Sequence, residues 1–300
     1  MTRTGYFAAR ACAIRGADVL VLNRQSERAD KALASLKESV PGASITQIEC
    51  DLQSLESVRA AARAVANQLG SDGLDVLANN AGCAGQEDRA TADGYDVQMQ
   101  TNHLSHFLLA KELMPLLEKA VERNGEARVV NHTSAIRVCP ATPAQARYYG
   151  KHGGDLGGNT PGWIFSGAPL DRYQQSKLAN VLFTMGLHER LQAKGSKVKA
   201  LVANPGLCLT SIEKTAIPGS LGANWLQTIL MNYCAQSAAD GAVSLLTCMV
   251  GPNVQSGQLW EPKGMAGMPV LKTLEPICAD KAAQQMCWEE SEKACGAFFA

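Results

Sequence analysis

The chain has 300 residues, 46% of them hydrophobic, and its 28 basic residues balance 28 acidic ones. This length can bury a large core, and the neutral charge without a basic stripe argues against nucleic acid or an anionic membrane as partner. The ten cysteines form no C-x-x-C pair and no Cys/His metal spacing, which predicts reduced thiols and no metal site. Apolar runs are too short to span a bilayer and no signal-peptide pattern opens the chain, so we expect a soluble, cytoplasmic protein.

Short apolar strands alternate with helices along the chain. The predicted strands cover residues 18–22, 44–49, 74–78, 127–131, 198–203 and 258–260. The predicted helices cover residues 27 to about 41, 54–69, 101–119, 173–193 and 237–250. This order predicts an α/β fold, a doubly wound parallel sheet with helices on both faces, in a single domain spanning residues 1–300. In such sheets, ligands bind at the carboxyl ends of the strands.

Small or polar residues follow three of these strands. Asn79-Asn80-Ala81-Gly82 closes the third strand, where small residues let a ligand approach the backbone, although an ordinary turn explains them equally well. Ser134 places a hydroxyl after the fourth strand, and Asn204-Pro205-Gly206 follows the fifth. Asn102 stands at the start of the predicted long helix, where N-capping is the plain alternative to a functional role.

Tyr173 and Lys177 form a Y-x-x-x-K pattern in the fourth predicted helix. Residues four apart share a helix face, so the phenol and the ammonium project into one space. A nearby cation favours the phenolate and can turn a tyrosine of pKa ~10 into a general acid/base. Taken alone the pattern is weak, because a surface tyrosine and a solvated lysine give the same spacing.

In combination, these segments resemble the short-chain dehydrogenase/reductase family, and more narrowly its retinol-dehydrogenase and WW-domain-oxidoreductase branch. The resemblance covers the chain from about Gly5 onward and implies a Rossmann-like domain. The segments that carry it are Asn79–Gly82, Thr101–Leu109, Arg128–Asn131, Tyr173–Asn180, Asn204–Gly206 and Trp288–Lys293.

The resemblance implies a role for each matching catalytic residue. Tyr173 would exchange a proton with the substrate oxygen, and Lys177 would lower the Tyr173 pKa and hold the nicotinamide ribose. Ser134 would polarise the substrate carbonyl, and Asn102 would fix a backbone position and a water. Further cofactor contacts are implied at Gly5, Asp51, Leu52, Asn80, Ala81, Gly82, Pro205 and Gly206.

The cofactor is predicted from the end of the first visible strand. An acidic residue there would accept from the adenosine ribose, whereas a basic residue accommodates the extra phosphate of NADP. The strand ends in Asn23-Arg24 without an acid, which favours NADP(H) over NAD(H), although an exposed arginine at a helix start is the plain alternative.

The opening of the chain departs from the family. The family begins with a strand and a T-G-x-x-x-G-x-G turn that approaches the pyrophosphate. Here Gly5 aligns with the last glycine of that turn and Arg3 stands in place of the one before it, so the central strand and most of the phosphate cradle are missing. We expect the true start to lie upstream, where a membrane anchor of the kind that some members of this branch carry would also lie; the alternative is a shortened form with impaired cofactor binding.

Two segments are candidates for the substrate pocket. Residues 135–172 form a long insertion whose aromatic cluster, Trp163–Phe165, would either wall an apolar pocket or anchor a surface excursion. Residues 207–236 stand where the family places its substrate lid. Their apolar character suggests a bulky substrate such as a retinoid, steroid or lipid aldehyde.

Other functions and a homodimer are also considered. A non-catalytic scaffold with this fold is supported by the incomplete phosphate cradle, and a sugar-nucleotide epimerase or dehydratase would share the Tyr and Lys. The family commonly dimerises through the helices that bear Asn102 and Tyr173. Candidate contacts, which core packing explains equally well, are Leu104, Leu108, Leu182 and Phe183.

Overall fold

The computed structural model describes residues 3–139, 141–160, 162, 166–208 and 235–299. The strands are β1 (Val19–Asn23), β2 (Ile45–Glu49), β3 (Val76–Asn79), β4 (Ala127–His132), β5 (Val198–Ala203), β6 (Leu259–Pro262) and β7 (Pro269–Lys272). The α-helices are α1 (Arg3–Ile14), α2 (Glu27–Ser39), α3 (Leu55–Leu69), α4 (Val97–Met99), α5 (Ser105–Asn124), α6 (Ala168–Ala193), α7 (Ala238–Val250), α8 (Pro276–Ala279) and α9 (Lys281–Cys295).

The strands form two sheets within the described residues. β1 pairs in parallel with β2, while β3, β4, β5 and β6 pair in parallel in that order and β7 closes the edge antiparallel. In the described part of the chain, β1 and β3 each have one hydrogen-bonded neighbour, and no strand lies between them. This confirms the mostly parallel sheet.

Side chains of the central strands alternate between two helical layers. Val129 and Val202 face the core formed with α3, α5, α6 and α9, whereas Val130 and Leu201 face a second core with α1 and α7. This period of two is the pattern of a strand buried on both faces. The helices therefore cover both sides of the sheet, as the doubly wound prediction required.

Helix caps explain why several predicted helices begin where they do. The side chains of Ser26, Ser54 and Ser237 each accept a hydrogen bond from a backbone N–H in the first turn of α2, α3 and α7. Each satisfies a donor that the first helical turn leaves unpaired. The predicted helix at 173–193 instead begins five residues earlier, at Ala168, so that Tyr173 lies in its second turn.

The face of α5 and α6 that was a candidate dimer contact is covered by the C-terminal helix of the same chain. Leu104, Leu108 and Leu182 are fully buried, and Phe183 is 1% exposed. Trp288 of α9 packs against Phe183, with ring centroids 6.0 Å apart. These four side chains therefore form core, and a dimer through them would require α9 to move away.

Two further observations concern the chain as a whole. No helix among the described residues combines the length and apolarity needed to cross a bilayer. Nine cysteines lie in the described part, and all nine are free thiols, eight of them buried or half-buried. Burial raises the pKa of Cys287 and Cys295 to about 12, which keeps these thiols protonated.

Candidate active site

Tyr173 and Ser134 meet at the carboxyl end of β4. Ser134 follows β4 and caps the short 3₁₀ turn Ala135–Val138, and both Ser134 and Tyr173 are half-buried. A side-chain hydrogen bond joins the Tyr173 phenol to Ser134. A hydroxyl beside a phenol is the arrangement needed to hold one substrate oxygen from two sides.

The pKa of Tyr173 is raised rather than lowered in this structure. Burial is the main cause, and the hydrogen bond with Ser134 opposes it. The Lys177 ammonium lies 5.9 Å from the centre of the Tyr173 ring. The expectation that Lys177 lowers the Tyr173 pKa is therefore not met by the residues of this chain alone, because desolvation of the phenolate outweighs the distant charge.

Lys177 carries a buried ammonium with donors to spare. Its side chain is 3% exposed, and Nζ donates to the backbone oxygen of His132 at 3.2 Å. Burial lowers the pKa of Lys177 to about 8. An ammonium has three donors, and among the described residues one carbonyl is its hydrogen-bond acceptor.

Asn102 lies inside a π-helical turn and does not cap a helix. The turn spans Gln100–Leu104, and the N-cap of the preceding α4 is Asp96, so the N-cap interpretation of Asn102 is wrong. The Asn102 amide donates to the oxygen of Cys83 at 2.9 Å and accepts from the Cys83 N–H at 2.8 Å. It also donates to Ser176 Oγ at 2.8 Å, and Ser176 Oγ donates to the oxygen of Tyr173. Asn102 thus ties the segment after β3 to the helix that bears Tyr173, and π-turns of this kind are frequent at functional sites.

Gly82 lies against Asn102 and Lys177. A Cβ at this position would be 3.0 Å from Asn102 Oδ1 and 3.1 Å from Lys177 Nζ. Any side chain would therefore displace the ammonium or the amide. Asn80 and Ala81 precede it and are half-buried. The predicted Asn80-Ala81-Gly82 segment and the predicted catalytic pair share one location.

Gly206 lies in a turn that only glycine fits. Its φ is +68°, and a Cβ would be 2.6 Å from the oxygen of Met265. Its N–H donates to Asn204 Oδ1 at 3.1 Å, and Pro205 before it is buried. The turn continues β5, the strand next to β4, so it flanks Ser134 at the same end of the sheet.

The first turn of α1 reaches the same edge of the sheet. The Thr4 hydroxyl donates to Asn80 Oδ1 at 3.1 Å, and Gly5 follows it within the helix. Gly5 therefore lies in the helical turn next to the segment after β3.

Arg24 and Asp51 mark the ends of β1 and β2. Arg24 Nε lies 4.0 Å from Asp51 Oδ1, and their side chains are 62% and 41% exposed. Leu52 is half-buried, and its oxygen accepts from Ser105 Oγ at 2.7 Å. The structure thus brings Arg24, Asp51 and Leu52 together, on the β1–β2 sheet rather than beside Tyr173.

These positions fit a dinucleotide. The spare donors of buried Lys177 face Gly82, the only kind of residue that leaves room there. Lys177 with Asn80, Ala81 and Gly82 would hold the nicotinamide ribose, and Pro205 and Gly206 would border the nicotinamide. Arg24, Asp51 and Leu52 would border the adenosine end, with Gly5 nearer the phosphates. No cluster of three or more His, Cys, Asp or Glu side chains suited to a metal ion occurs in the described residues.

The two predicted pocket segments are described in part. The insertion packs inward, because Tyr148, Tyr149 and Leu156 are at most 3% exposed. The aromatic cluster Trp163–Phe165 lies outside the described residues. So does most of the predicted lid at 207–236, of which Gln236 donates to Pro205 and to Leu207.

Sequence reasoning missed several charged or polar residues around this site. His106 Nδ1 lies 3.0 Å from the oxygen of Asn102, and burial lowers the pKa of His106 to about 4. Arg137 and Arg172 are buried ion-paired arginines beside Ser134 and Tyr173. The signal in the sequence was their position: Arg137 is three residues after Ser134, and Arg172 directly precedes Tyr173.

The chain is similar in sequence to known proteins. A family model described as short chain dehydrogenase matches residues 4–150. An uncharacterized oxidoreductase of Schizosaccharomyces pombe is 30% identical over 257 residues, covering 85% of this chain and 71% of that protein. The chain belongs to the short-chain dehydrogenase/reductase family. Members of this family are NAD(P)-dependent oxidoreductases, and this chain is one of them.

Other members of the family agree with this assignment. The polyprenol dehydrogenase of Homo sapiens is 31% identical over 210 residues, covering 70% of this chain and 59% of that protein. The WW domain-containing oxidoreductase of Danio rerio is 29% identical over 308 residues, covering 96% of this chain and 65% of that protein. Both fit the branch named from the sequence.

Solved structures agree in fold. A crystal structure of a protein from Mycobacterium Paratuberculosis has a TM-score of 0.73 at 28% identity, covering 99% of this chain and 91% of that one. L-sorbose reductase from Gluconobacter frateurii, solved with NADPH and L-sorbose, has a TM-score of 0.62 at 21% identity, covering 87% of this chain and 92% of that one. At that lower identity the likeness concerns the fold alone.

Proposed function

We propose that this protein is an NADP(H)-dependent oxidoreductase that interconverts an alcohol and a carbonyl on a bulky apolar substrate. The observation that carries the proposal is one cluster: Tyr173 bonded to Ser134, with the buried Lys177 ammonium and Gly82 beside them. A scaffold protein would not require this set of polar groups at one strand end. Desolvating an ammonium costs stability, so its burial here is better explained by a functional role.

Each residue would act on a defined atom. The bound nicotinamide supplies or accepts the hydride at the carbonyl carbon. In the reductive direction, Tyr173 Oη donates its proton to the substrate oxygen and Ser134 Oγ holds that oxygen. The raised pKa of Tyr173 keeps the phenol protonated and ready to donate at neutral pH. Lys177 places a positive charge near the phenolate left behind, and Asn102 fixes the helix through Ser176.

One observation supports NADP(H) over NAD(H). Arg24 is an exposed guanidinium at the end of β1, suited to a phosphate. Asp51 lies 4.0 Å from Arg24 and would share it with a phosphate. The preference for NADP(H) therefore rests on Arg24, whose charge Asp51 partly neutralises. We expect this preference to be modest.

The apolar substrate class is supported by a relative and by the composition of residues 207–236. The human relative named polyprenol dehydrogenase indicates a long apolar alcohol for that protein. In this chain, residues 207–236 are rich in Ile, Leu, Trp and Met, whereas Tyr148, Tyr149 and Leu156 of the insertion belong to the main hydrophobic core. A retinoid, steroid or lipid aldehyde fits an apolar segment of this kind better than a small polar carbonyl.

The test combines cofactor binding with turnover. NADPH binding is measured by nicotinamide fluorescence, and NADPH oxidation is followed with retinal, a steroid ketone, a long-chain aldehyde and dihydroxyacetone. We expect binding and a preference for the apolar carbonyls, and Tyr173→Phe should retain binding while turnover falls about 10²–10⁴-fold. Turnover that Tyr173→Phe leaves intact, or a preference for dihydroxyacetone, would contradict the proposal. Binding without any turnover would favour the non-catalytic alternative.

A further inference from the structure

Arg172 stands directly before Tyr173 and is enclosed by the protein. Its side chain is fully buried in the first half of α6. Nη1 donates to the oxygens of Gly158 and Leu156 at 2.8 and 3.3 Å, and Nη2 donates to the oxygen of Gln86 at 2.9 Å. Successive residues of a helix point about 100° apart, so Arg172 extends away from Tyr173 into this carbonyl cage.

Asp88 binds the glycine-rich part of the insertion, residues 154–158, next to the same guanidinium. Its carboxylate accepts from the N–H groups of Gly154, Leu156 and Gly158 at 3.0, 2.8 and 2.8 Å. Asp88 Oδ2 lies 3.7 Å from Arg172 Nη1, and the Asp88 side chain is 2% exposed. The loop 154–158 therefore covers a buried ion pair with its backbone N–H groups, while Leu156 is the one buried residue of these five.

Asp96 connects Arg172 to the helix that leads to Asn102. Its side chain caps α4 by accepting from the N–H groups of Gln98 and Met99 at 3.0 and 2.9 Å. The other carboxylate oxygen lies 3.3 Å from Arg172 Nε, and neither side chain is exposed. α4 continues directly into the π-turn that contains Asn102.

Arg172 thus lies between two buried carboxylates, and it contacts three segments at once. Removing it would leave two like charges buried close together, which desolvation and repulsion both disfavour. The segment 86–88, the insertion loop 154–158 and the start of α4 would then separate from α6. Tyr173 is the next residue of that helix and would lose the restraint on its N-terminal side.

We propose that Arg172, held by Asp88 and Asp96, is a positioning residue that fixes Tyr173 relative to Ser134 and Asn102. This inference rests on the proposed function, in which Tyr173 transfers the proton. The proposed nicotinamide site is at Lys177 and Gly82, which are not among the residues that Arg172 contacts. The network should therefore govern the rate of the chemical step and leave cofactor affinity nearly unchanged.

The experiment compares Arg172→Ala and Arg172→Lys with wild type, and uses Arg89→Ala as the control. Arg89 is an exposed arginine next to Asp88 that donates to Gln53. For Arg172→Ala we expect kcat to fall about 10²-fold, the cost typical of an ångström-scale misplacement, with the NADPH Kd unchanged within about twofold. Added guanidinium ion should restore part of the lost kcat, and Arg172→Lys should retain part of it, because an ammonium can meet the carboxylates but not all the carbonyls.

Hydrogen exchange distinguishes failure of this inference from failure of the proposed function. Amides of residues 154–158 should be protected in wild type and in Arg89→Ala, and should exchange faster in Arg172→Ala. If wild type shows this protection but no turnover, the proposed function fails. If wild type turns over and Arg172→Ala keeps its kcat, the positioning role is overturned. Loss of kcat and NADPH affinity together, without guanidinium rescue, would overturn it as well.

Asp88→Asn provides a second variant that is milder than loss of the guanidinium. It keeps one acceptor oxygen for the loop N–H groups and removes one charge from the cluster. We expect kcat to fall about tenfold with NADPH affinity retained, at a smaller loss of melting temperature than in Arg172→Ala. If Arg172→Ala does not fold, an unchanged kcat in Asp88→Asn overturns the inference.

Discussion

The buried charge of Lys177 destabilises the folded protein. The residue is 3% exposed, and a backbone oxygen is the acceptor of its ammonium among the described residues. Burial lowers its pKa from 10.5 to about 8. The folded protein therefore tolerates a charge that it would be more stable without, and such a cost is typical of functional sites.

The pH dependence of stability follows from this shift. Because the folded pKa lies below the unfolded one, the folded state is penalised fully below pH 8, and the penalty fades as pH rises toward 10.5. Between pH 7 and pH 9.5, cofactor-free wild type should gain about 2 kcal/mol in free energy of unfolding relative to Lys177→Met. Urea unfolding of both proteins at both pH values measures this difference. An equal pH response of the two proteins would show that Lys177 is not desolvated.

Arg24 determines the cofactor prediction at the residue scale. Its guanidinium is exposed and lies near Asp51, so a phosphate would compete with a carboxylate for it. Arg24→Ala should weaken NADPH binding about tenfold and leave NADH binding nearly unchanged, because one charge-assisted contact is lost. Lys31→Ala, which removes an exposed cation of α2, is the control. Unchanged discrimination in Arg24→Ala would remove this residue from the cofactor site.

At the scale of elements, the π-turn Gln100–Leu104 before α5 connects the segment after β3 to α6, the helix that bears Tyr173. The sequence pattern located a helix here but not its start, since a capping Asn and a π-turn Asn look alike in one sequence. Asn102 is fully buried, and its amide is occupied by Cys83 and Ser176. Only the three-dimensional partners separate the two interpretations.

Asn102→Ala tests this joint. It leaves the Cys83 N–H and O without their partner, which should cost about 2 kcal/mol in free energy of unfolding, and it frees Ser176 from α4–α5. We expect kcat to fall together with stability. Asn124→Ala, an exposed amide at the end of α5, serves as the control and should change neither. A stable Asn102→Ala with full activity would contradict the assignment.

Strands and helix caps were predictable because their signals are local. Val198–Ala203 was placed without error, and Ser54 and Ser237, where two predicted helices begin, are the N-caps of α3 and α7. The buried partners of Arg137 and Arg172 come from segments distant in sequence, such as Glu261 and Asp88. No local pattern reveals such pairs, so the sequence pointed to Tyr173 and Lys177 as candidates but not to the network around them.

At the scale of the whole molecule, the C-terminal helix completes the core on one side of the sheet. Trp288 packs against Phe107 and Phe298, with centroids 5.4 and 5.1 Å apart, and Arg190 stacks on its ring at 3.9 Å. On the other side, α1 joins the two sheets by packing against α7, and Thr4 contacts Asn80. The fold thus relies on helices to hold together a sheet that is divided between β1 and β3.

Trp288→Ala tests the contribution of the C-terminal helix. The side chain is 2% exposed, so its removal should lower the free energy of unfolding by about 3–5 kcal/mol through lost packing and a cavity. Met268→Ala, at a site 73% exposed, should change it little. Size-exclusion chromatography of the same variant shows whether the uncovered face of α5 and α6 then associates. A fully stable Trp288→Ala would mean that α9 does not pack as described.

The most direct test of the central claim is deuterium transfer from NADPH labelled at nicotinamide C4. The protein is incubated with retinal and each of the two stereospecifically labelled cofactors, and the alcohol product is analysed by mass spectrometry. The account predicts deuterium at the carbinol carbon from one label only, with Tyr173→Phe reducing the rate about 10²–10⁴-fold while still binding NADPH. Bound NADPH that transfers deuterium from neither label, to retinal or to the other carbonyls of the panel, would contradict it.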